Sequence, residues 1–176
     1  MPGIDEKMTF LPVHIAILTV SDTRGEEEDR SGPILVERAS RAGHAVVRRE
    51  RVTDDKARIE EALRTLIDDP EVDVVISTGG TGVTGRDVTP EAFRAVYEKE
   101  IEGFGELFRW ISLKHVGTST IQSRATAGVS KGKYLFALPG SPGACKDAWD
   151  EILVHQLDIR YRPCNFVELM PRLRER

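Results

Sequence analysis

Residues 72–90 read Val72-Asp-Val-Val-Ile-Ser-Thr-Gly-Gly-Thr-Gly-Val-Thr-Gly-Arg-Asp-Val-Thr-Pro90, and their interpretation decides the fold. Val72, Val74, Val75 and Ile76 form a β-branched run almost unbroken by polar residues. That pattern suits a parallel strand buried on both faces. Gly79, Gly80, Gly82 and Gly85 then place four glycines within seven residues, a backbone-entropy cost that an ordinary strand-to-helix turn does not require. Such a loop can turn amide N–H groups toward an oxygen-rich ligand. Thr89 followed by Pro90 reads as an N-cap with proline at the first helical position, putting the positive end of a helix beside the loop. A phosphate would be stabilised there.

Gly80, Gly82 and Gly85 also satisfy the dinucleotide pattern G-x-G-x-x-G, but the context does not fit. Arg86, Asp87 and Val88 intervene before the helix, and the carboxylates about 20 residues on, Glu100 and Glu102, fall in a helical, glycine-flanked segment rather than at a strand end. No G-x-x-x-x-G-K-[ST] sequence occurs either.

Strand and helix signals alternate on both sides of this stretch. Residues 14–20 form an apolar strand with Ser21, Asp22 and Thr23 at its C-terminal end, followed by a charged loop over 24–30. A helix from near Pro33, capped by Asp29 or Ser31, stops at Gly43. The arginine-rich strand over 45–52 suits a sheet edge. Asp54 or Asp55 caps a helix with Ile59, Ala62, Leu63, Leu66 and Ile67 on one stripe. Beyond the glycine loop a helix is expected over 90–99, an interruption at Gly103 and Gly105, and a further helix over 106–114. Phe104, Phe108 and Trp110 read as core or, alternatively, as a subunit contact. Two strands, 125–129 and 134–138, are joined by a turn, and the second runs into Pro139-Gly-Ser-Pro-Gly143 and a helix over 144–161. The pattern predicts an α/β fold, a parallel or mixed sheet with helices on both faces. Loops after parallel strands gather at one sheet edge, so Ser21 and Asp22, residues 79–87 and residues 140–142 are expected to share one cleft.

The 176 residues fit a single domain, with residues 1–12 and 167–176 expected as flexible termini. A net charge of −4 argues against nucleic acid as a partner. The N-terminus lacks the basic start and long apolar core of a signal peptide, no apolar run reaches membrane-spanning length, and Cys145 and Cys164 make no disulfide framework. These features predict a cytoplasmic protein. His14, His44, His115 and His155 have no zinc-site spacing.

A cleft with backbone donors, hydroxyls and carboxylates, and no histidine or cysteine nucleophile in its motifs, suits phosphate chemistry better than acyl transfer. Asp87 would repel a phosphate unless a divalent cation lay between them. Asp54, from another strand end, could supply a second oxygen ligand or simply cap its helix. Cys145 is either a reactive thiolate near a helix start or a small packed residue.

Thr19-Val-Ser-Asp22, the run from Thr78 to Glu91, Glu102-Gly-Phe-Gly-Glu106, Gly117-Thr-Ser-Thr-Ile-Gln-Ser-Arg124, Leu138-Pro-Gly-Ser-Pro142 and Arg162-Pro-Cys-Asn-Phe166 together resemble the MoaB/Mog family of molybdenum cofactor biosynthesis proteins, most of all its bacterial MoaB branch. The resemblance spans about residues 15–166. It implies a three-layer α/β/α fold with a mostly parallel central sheet, assembly as a homo-oligomer (trimer or hexamer), molybdopterin binding, and work beside other cofactor-biosynthesis proteins. In the Mog branch it implies an adenylyltransferase: molybdopterin attacks the α-phosphate of Mg-ATP and pyrophosphate leaves. By motif the two aspartates of that activity fall on Asp54 and Asp87, as Mg²⁺ ligands and catalytic groups. Some MoaB-branch members depart at the first position; this sequence keeps both. Combined with the shared cleft, this leads us to expect nucleotide and substrate contacts from Ser21, Asp22, Gly79, Gly80, Thr81, Gly82, Gly140, Ser141 and Pro142. The alternative is a molybdopterin-binding oligomer without turnover.

Overall fold

The computed structural model describes residues 2–22 and 29–175. Thr23 and most of the charged loop, residues 24–28, lie outside the described residues. Among the described residues the chain forms β1 (Gly3–Ile4), β2 (His14–Val20), α1 (Ser31–Arg41), β3 (Ala45–Val52), α2 (Lys56–Asp68), β4 (Val74–Thr78), α3 (Thr89–Val96), β5 (Lys99–Glu100), α4 (Glu102–Val116), β6 (Thr126–Ser130), β7 (Lys133–Leu138) and α5 (Pro142–Ala148). A π-helical turn (Trp149–Leu153) and a last turn, α6 (Val154–Gln156), continue α5, and β8 (Tyr161–Arg162) and α7 (Phe166–Leu169) follow.

The central sheet has the order β3-β2-β4-β7-β6-β5. Its β3, β2, β4 and β7 are mutually parallel, while β6 runs antiparallel to both of its neighbours. The apolar runs of β2 and β4 are buried as continuous hydrophobic sequence requires of interior parallel strands. The arginine-rich β3 lies at the edge, where its long side chains reach water. A tight turn through Lys131 (φ 47°) and Gly132 (φ 80°) joins β6 to β7, both residues left-handed as a two-residue hairpin demands.

One sheet face packs Ile15, Ile17, Val74, Ile76 and Phe136 against α1, α4 and the α5 region through Leu35, Phe108 and Trp149. The other packs Ala16, Leu18, Val75 and Leu135 against α2 and α3 through Ile59, Leu63 and Phe93. The result is three layers, helices over a mostly parallel sheet.

Several local expectations change. Gly103 and Gly105 do not interrupt a helix; both lie inside α4. A side chain at Gly105 would come within 2.5 Å of the Ala125 carbonyl, so the glycine lets the helix approach β6. Phe104 and Phe108 are core, whereas Trp110 is 63% exposed. Parts of both terminal segments carry structure: β1 pairs antiparallel with β8, and Val167 is buried on α7, whose start Asn165 caps. Among the described residues no helix is long and apolar enough to cross a membrane.

Candidate functional site

The register of the parallel strands sets Thr19 beside Thr78 and Thr78 beside Leu138, so the loops leaving β2, β4 and β7 start from one edge. The chain passes from β2 out to edge strand β3 and back across β2 to β4. That reversal opens a crevice beyond the strand ends, the place where open α/β sheets bind ligands. Hydrogen bonds lace this edge: Ser21 N–H to Val52 O (2.9 Å), Gly79 N–H to Leu138 O (3.0 Å), Thr78 Oγ1 to Pro139 O (3.0 Å) and Ser31 Oγ to Gly140 O (3.1 Å).

The crevice holds a cavity of about 230 Å³ lined by Thr19, Val20, Ser21, Asp22, Asp29, Ser31, Asp54, Thr78, Gly79, Gly80, Asp87 and Gly140. Seven of the residues singled out from the sequence therefore meet: Ser21, Asp22, Asp54, Gly79, Gly80, Asp87 and Gly140. Thr81, Gly82, Ser141 and Pro142 do not line it. Thr81 is buried and its carbonyl accepts from the Arg124 amide (2.9 Å). Ser141 caps α5 by accepting from Ala144 N–H, and Pro142 opens that helix. Their residue types answer a helix start.

Two glycines have a backbone reason to be glycine. Gly79 (φ 111°) and Gly80 (φ 66°) are both left-handed. A Cβ on Gly79 would lie 2.1 Å from Val20 O, and one on Gly80 would lie 2.4 Å from Thr89 Oγ1 and 2.9 Å from Asp54 Oδ1. Gly82 and Gly85 have ordinary φ values. One loop amide is also less free than expected, because that of Thr84 donates to Asp87 itself.

Four carboxylates line the cavity, and their partners separate them. Asp22 accepts from Asp54 N–H (2.8 Å) and pairs with Arg86. Asp29, which the sequence suggested as a cap, accepts from Thr19 Oγ1, Ser31 N–H and Gly32 N–H and lies 3.8 Å from Arg49. Asp87 accepts from Thr84 N–H (2.9 Å) and Thr84 Oγ1 (2.7 Å) through one oxygen. Burial works against its charge, but those donors, the Gly82 amide and nearby Arg124 outweigh it and hold the carboxyl below the usual range. Asp54 has less support, a backbone hydrogen bond from its own amide, and Asp55, not Asp54, caps α2. Burial, then the charge of Asp87, push the Asp54 carboxyl above its usual value. Asp87 ionises first and the repulsion falls on Asp54.

Asp54 is thus the one of the four whose burial and repulsion no neighbouring cation among the described residues is seen to offset. Among the described residues no three carboxylate, histidine or cysteine side chains form a metal cage. Two converging carboxylates nevertheless fit Mg²⁺, which is commonly held by one or two carboxylates with water and phosphate oxygens completing its shell.

Thr89 departs from its expected role. It is the first residue of α3, makes no side-chain cap and gives its N–H to Gly80 O (3.0 Å). Its hydroxyl is fully buried without a hydrogen-bond partner, beside Gly80. An unpaired buried hydroxyl costs about 1–3 kcal/mol, a cost relieved when a ligand supplies the partner. The near-isosteric Thr89→Val is accordingly expected to keep or slightly raise thermal stability, measured by thermal unfolding. Cys145 is buried, 3.3 Å from Thr78 Oγ1, and burial pushes its thiol up to about 11, which makes it a packed residue.

The sequence reading missed Thr19, Ser31 and Thr78 as lining groups and Arg86 and Arg124 as partners of the site. The hydroxyls at the strand ends were a usable signal, since residues at that edge face the crevice. The two arginines had none.

Residues 16–159 match the family described as "Probable molybdopterin binding domain". The chain is 50% identical over 157 residues to "Molybdenum cofactor biosynthesis protein B" of Escherichia coli (strain K12), covering 89% of this chain and 92% of that protein. Among solved structures it resembles a "Molybdenum cofactor biosynthesis protein B" (TM-score 0.86, 40% identity, 96% and 100% of the two chains). It also resembles the "tungsten cofactor synthesizing protein MoaB from Pyrococcus furiosus" (TM-score 0.78, 36% identity, 93% and 98%).

Proposed function

Because the chain belongs to the MoaB/Mog family of molybdenum cofactor biosynthesis proteins, we propose that it acts in that biosynthesis by binding molybdopterin and adenylylating it with Mg-ATP. The observation that carries this reading is the convergence of Asp54 and Asp87, from separate elements, on one cavity walled by strand-end backbone. A phosphate oxygen of molybdopterin bonds to the α-phosphorus of ATP as the bond to the β-phosphate breaks and pyrophosphate departs. A phosphate monoester is largely deprotonated near neutral pH, so no side-chain base is needed. The barrier lies in bringing two anions together in line.

Mg²⁺ held by Asp54 and Asp87 would supply positive charge against the phosphates. The chain's own residues do the rest. Thr84 fixes one oxygen of Asp87 and leaves the other available. Asp22 holds the Asp54 backbone through its amide, and Arg86, paired with Asp22, adds positive charge to the loop carrying Asp87. The test is transfer of labelled AMP from ATP to molybdopterin with stoichiometric pyrophosphate release. Pterin binding without that release would leave the protein a carrier.

The same reading includes a homo-oligomer, trimer or hexamer, in the cytoplasm. Leu107, Trp110, Leu113 and Val116 on α4, with Ile121 just beyond, expose a run of large apolar side chains, a composition suited to a subunit contact. Trp110→Asp is expected to shift the sedimentation profile to smaller species with the monomer's circular dichroism intact; an unchanged profile would remove this face from the contact.

A further inference from the structure

The loop carrying Asp87 leaves β4 at Gly79 and rejoins the fold at Thr89, where the Thr89 amide meets Gly80 O. Its two arms are bridged from outside by one side chain. Arg124, just before β6, donates from Nε to Gly82 O (2.7 Å) and from a terminal nitrogen to Asp87 O (2.5 Å), while its own amide reaches Thr81 O (2.9 Å). The same guanidinium pairs with Glu91 in the first turn of α3. One planar group therefore spans the outgoing arm, the returning arm and the helix that follows.

We propose that Arg124 is a positioning residue: it fixes the separation of the two arms so that the Asp87 carboxylate, held from within by Thr84, faces Asp54 across the cavity. Its bonds to the loop go to backbone carbonyls and its charge is met by Glu91, so it acts on the loop's shape. A lysine cannot reproduce it, because one ammonium cannot reach two carbonyls and a carboxylate in a single plane. The functional consequence rests on Asp87 being a metal-facing carboxylate; the effect on the loop does not.

Arg124→Lys and Glu91→Gln test it, with Mn²⁺ as the metal probe in paramagnetic resonance titrations and backbone amide exchange as the structural readout. In Arg124→Lys, Mn²⁺ affinity should fall at least about tenfold, the range typical when a residue supporting a metal ligand is lost. Exchange at the Thr84 and Asp87 amides should quicken at least tenfold, while Ile17 and Phe136 in the sheet keep wild-type rates. Glu91→Gln, which retains both carbonyl bonds, should stay within about threefold of wild type in both measurements. Uniformly faster exchange through the sheet, wild-type loop exchange in Arg124→Lys, or an equal loss in Glu91→Gln would overturn the assignment. Failure of wild-type protein to bind Mn²⁺ would instead defeat the metal reading and leave the exchange test of Arg124 standing.

Discussion

Asp87→Asn is expected to lower kcat/KM for Mg²⁺-dependent adenylyl transfer by at least about 10²–10³, the scale at which one preorganised electrostatic group contributes. The substitution keeps the side chain's size and its carbonyl acceptor for Thr84, so the loop should survive while the charge is lost. Asp54→Asn should lose activity on the same scale, yet the two differ in stability. The Asp87 carboxyl is held below its usual range, so its contribution is present above the unfolded carboxylate value and lost as pH falls through the folded one. The Asp54 carboxyl is raised, so the folded protein binds that proton more tightly than the unfolded chain. Stability therefore falls as pH rises from the unfolded value through the raised one, and at neutral pH the charged group is a net cost. Without divalent cations, Asp54→Asn is expected to raise Tm at pH 7 by no more than about 2–4 °C, given partial exposure, and the gain should vanish at low pH. Thermal unfolding at several pH values, with EDTA, checks this; an Asp54→Asn protein less stable than wild type at pH 7 would contradict the electrostatic picture.

Gly79→Ala is expected to have the largest effect on the fold of any single methyl added in the glycine loop. The residue is left-handed, and its new Cβ would press against Val20 O at the end of β2, where neither backbone can move without breaking the parallel ladder. Strain at such positions costs about 1–3 kcal/mol before the clash is counted, so a loss of roughly 2–3 kcal/mol, or about 5–10 °C in Tm, is expected by circular dichroism. Gly85→Ala, with ordinary φ and open space around the new methyl, should change stability by less than about 1 kcal/mol. Similar losses in both would mean the glycines serve general loop flexibility.

What the sequence made legible was period and topology. β-branched runs in β2 and β4, an arginine-rich β3 and alternating helices define a parallel sheet with one loop-bearing edge. That alone brings Asp54 and Asp87 together, because each follows the C-terminal end of a parallel strand. What stayed hidden was tertiary. Thr89 looked like a cap, but Gly80 O takes its amide and its hydroxyl turns beside the site. Gly105 looked like a helix breaker, yet the close approach of β6 holds it in α4. Ser141 and Pro142 start α5 outside the lining of this cavity, and a helix start and a phosphate loop draw on the same residue types. Arg124 lies far along the chain from the carbonyls it holds, and nothing local distinguishes it from a solvated arginine.

The central claim, that Asp54 and Asp87 share one divalent cation in the cavity beyond the strand ends, is tested most directly by titrating Mn²⁺ into protein with ATP and following paramagnetic resonance. Wild-type protein is expected to bind one ion per chain, with affinity reduced at least about tenfold in both Asp54→Asn and Asp87→Asn. Equal Mn²⁺ affinity in wild type and both variants would place the ion elsewhere and contradict the account.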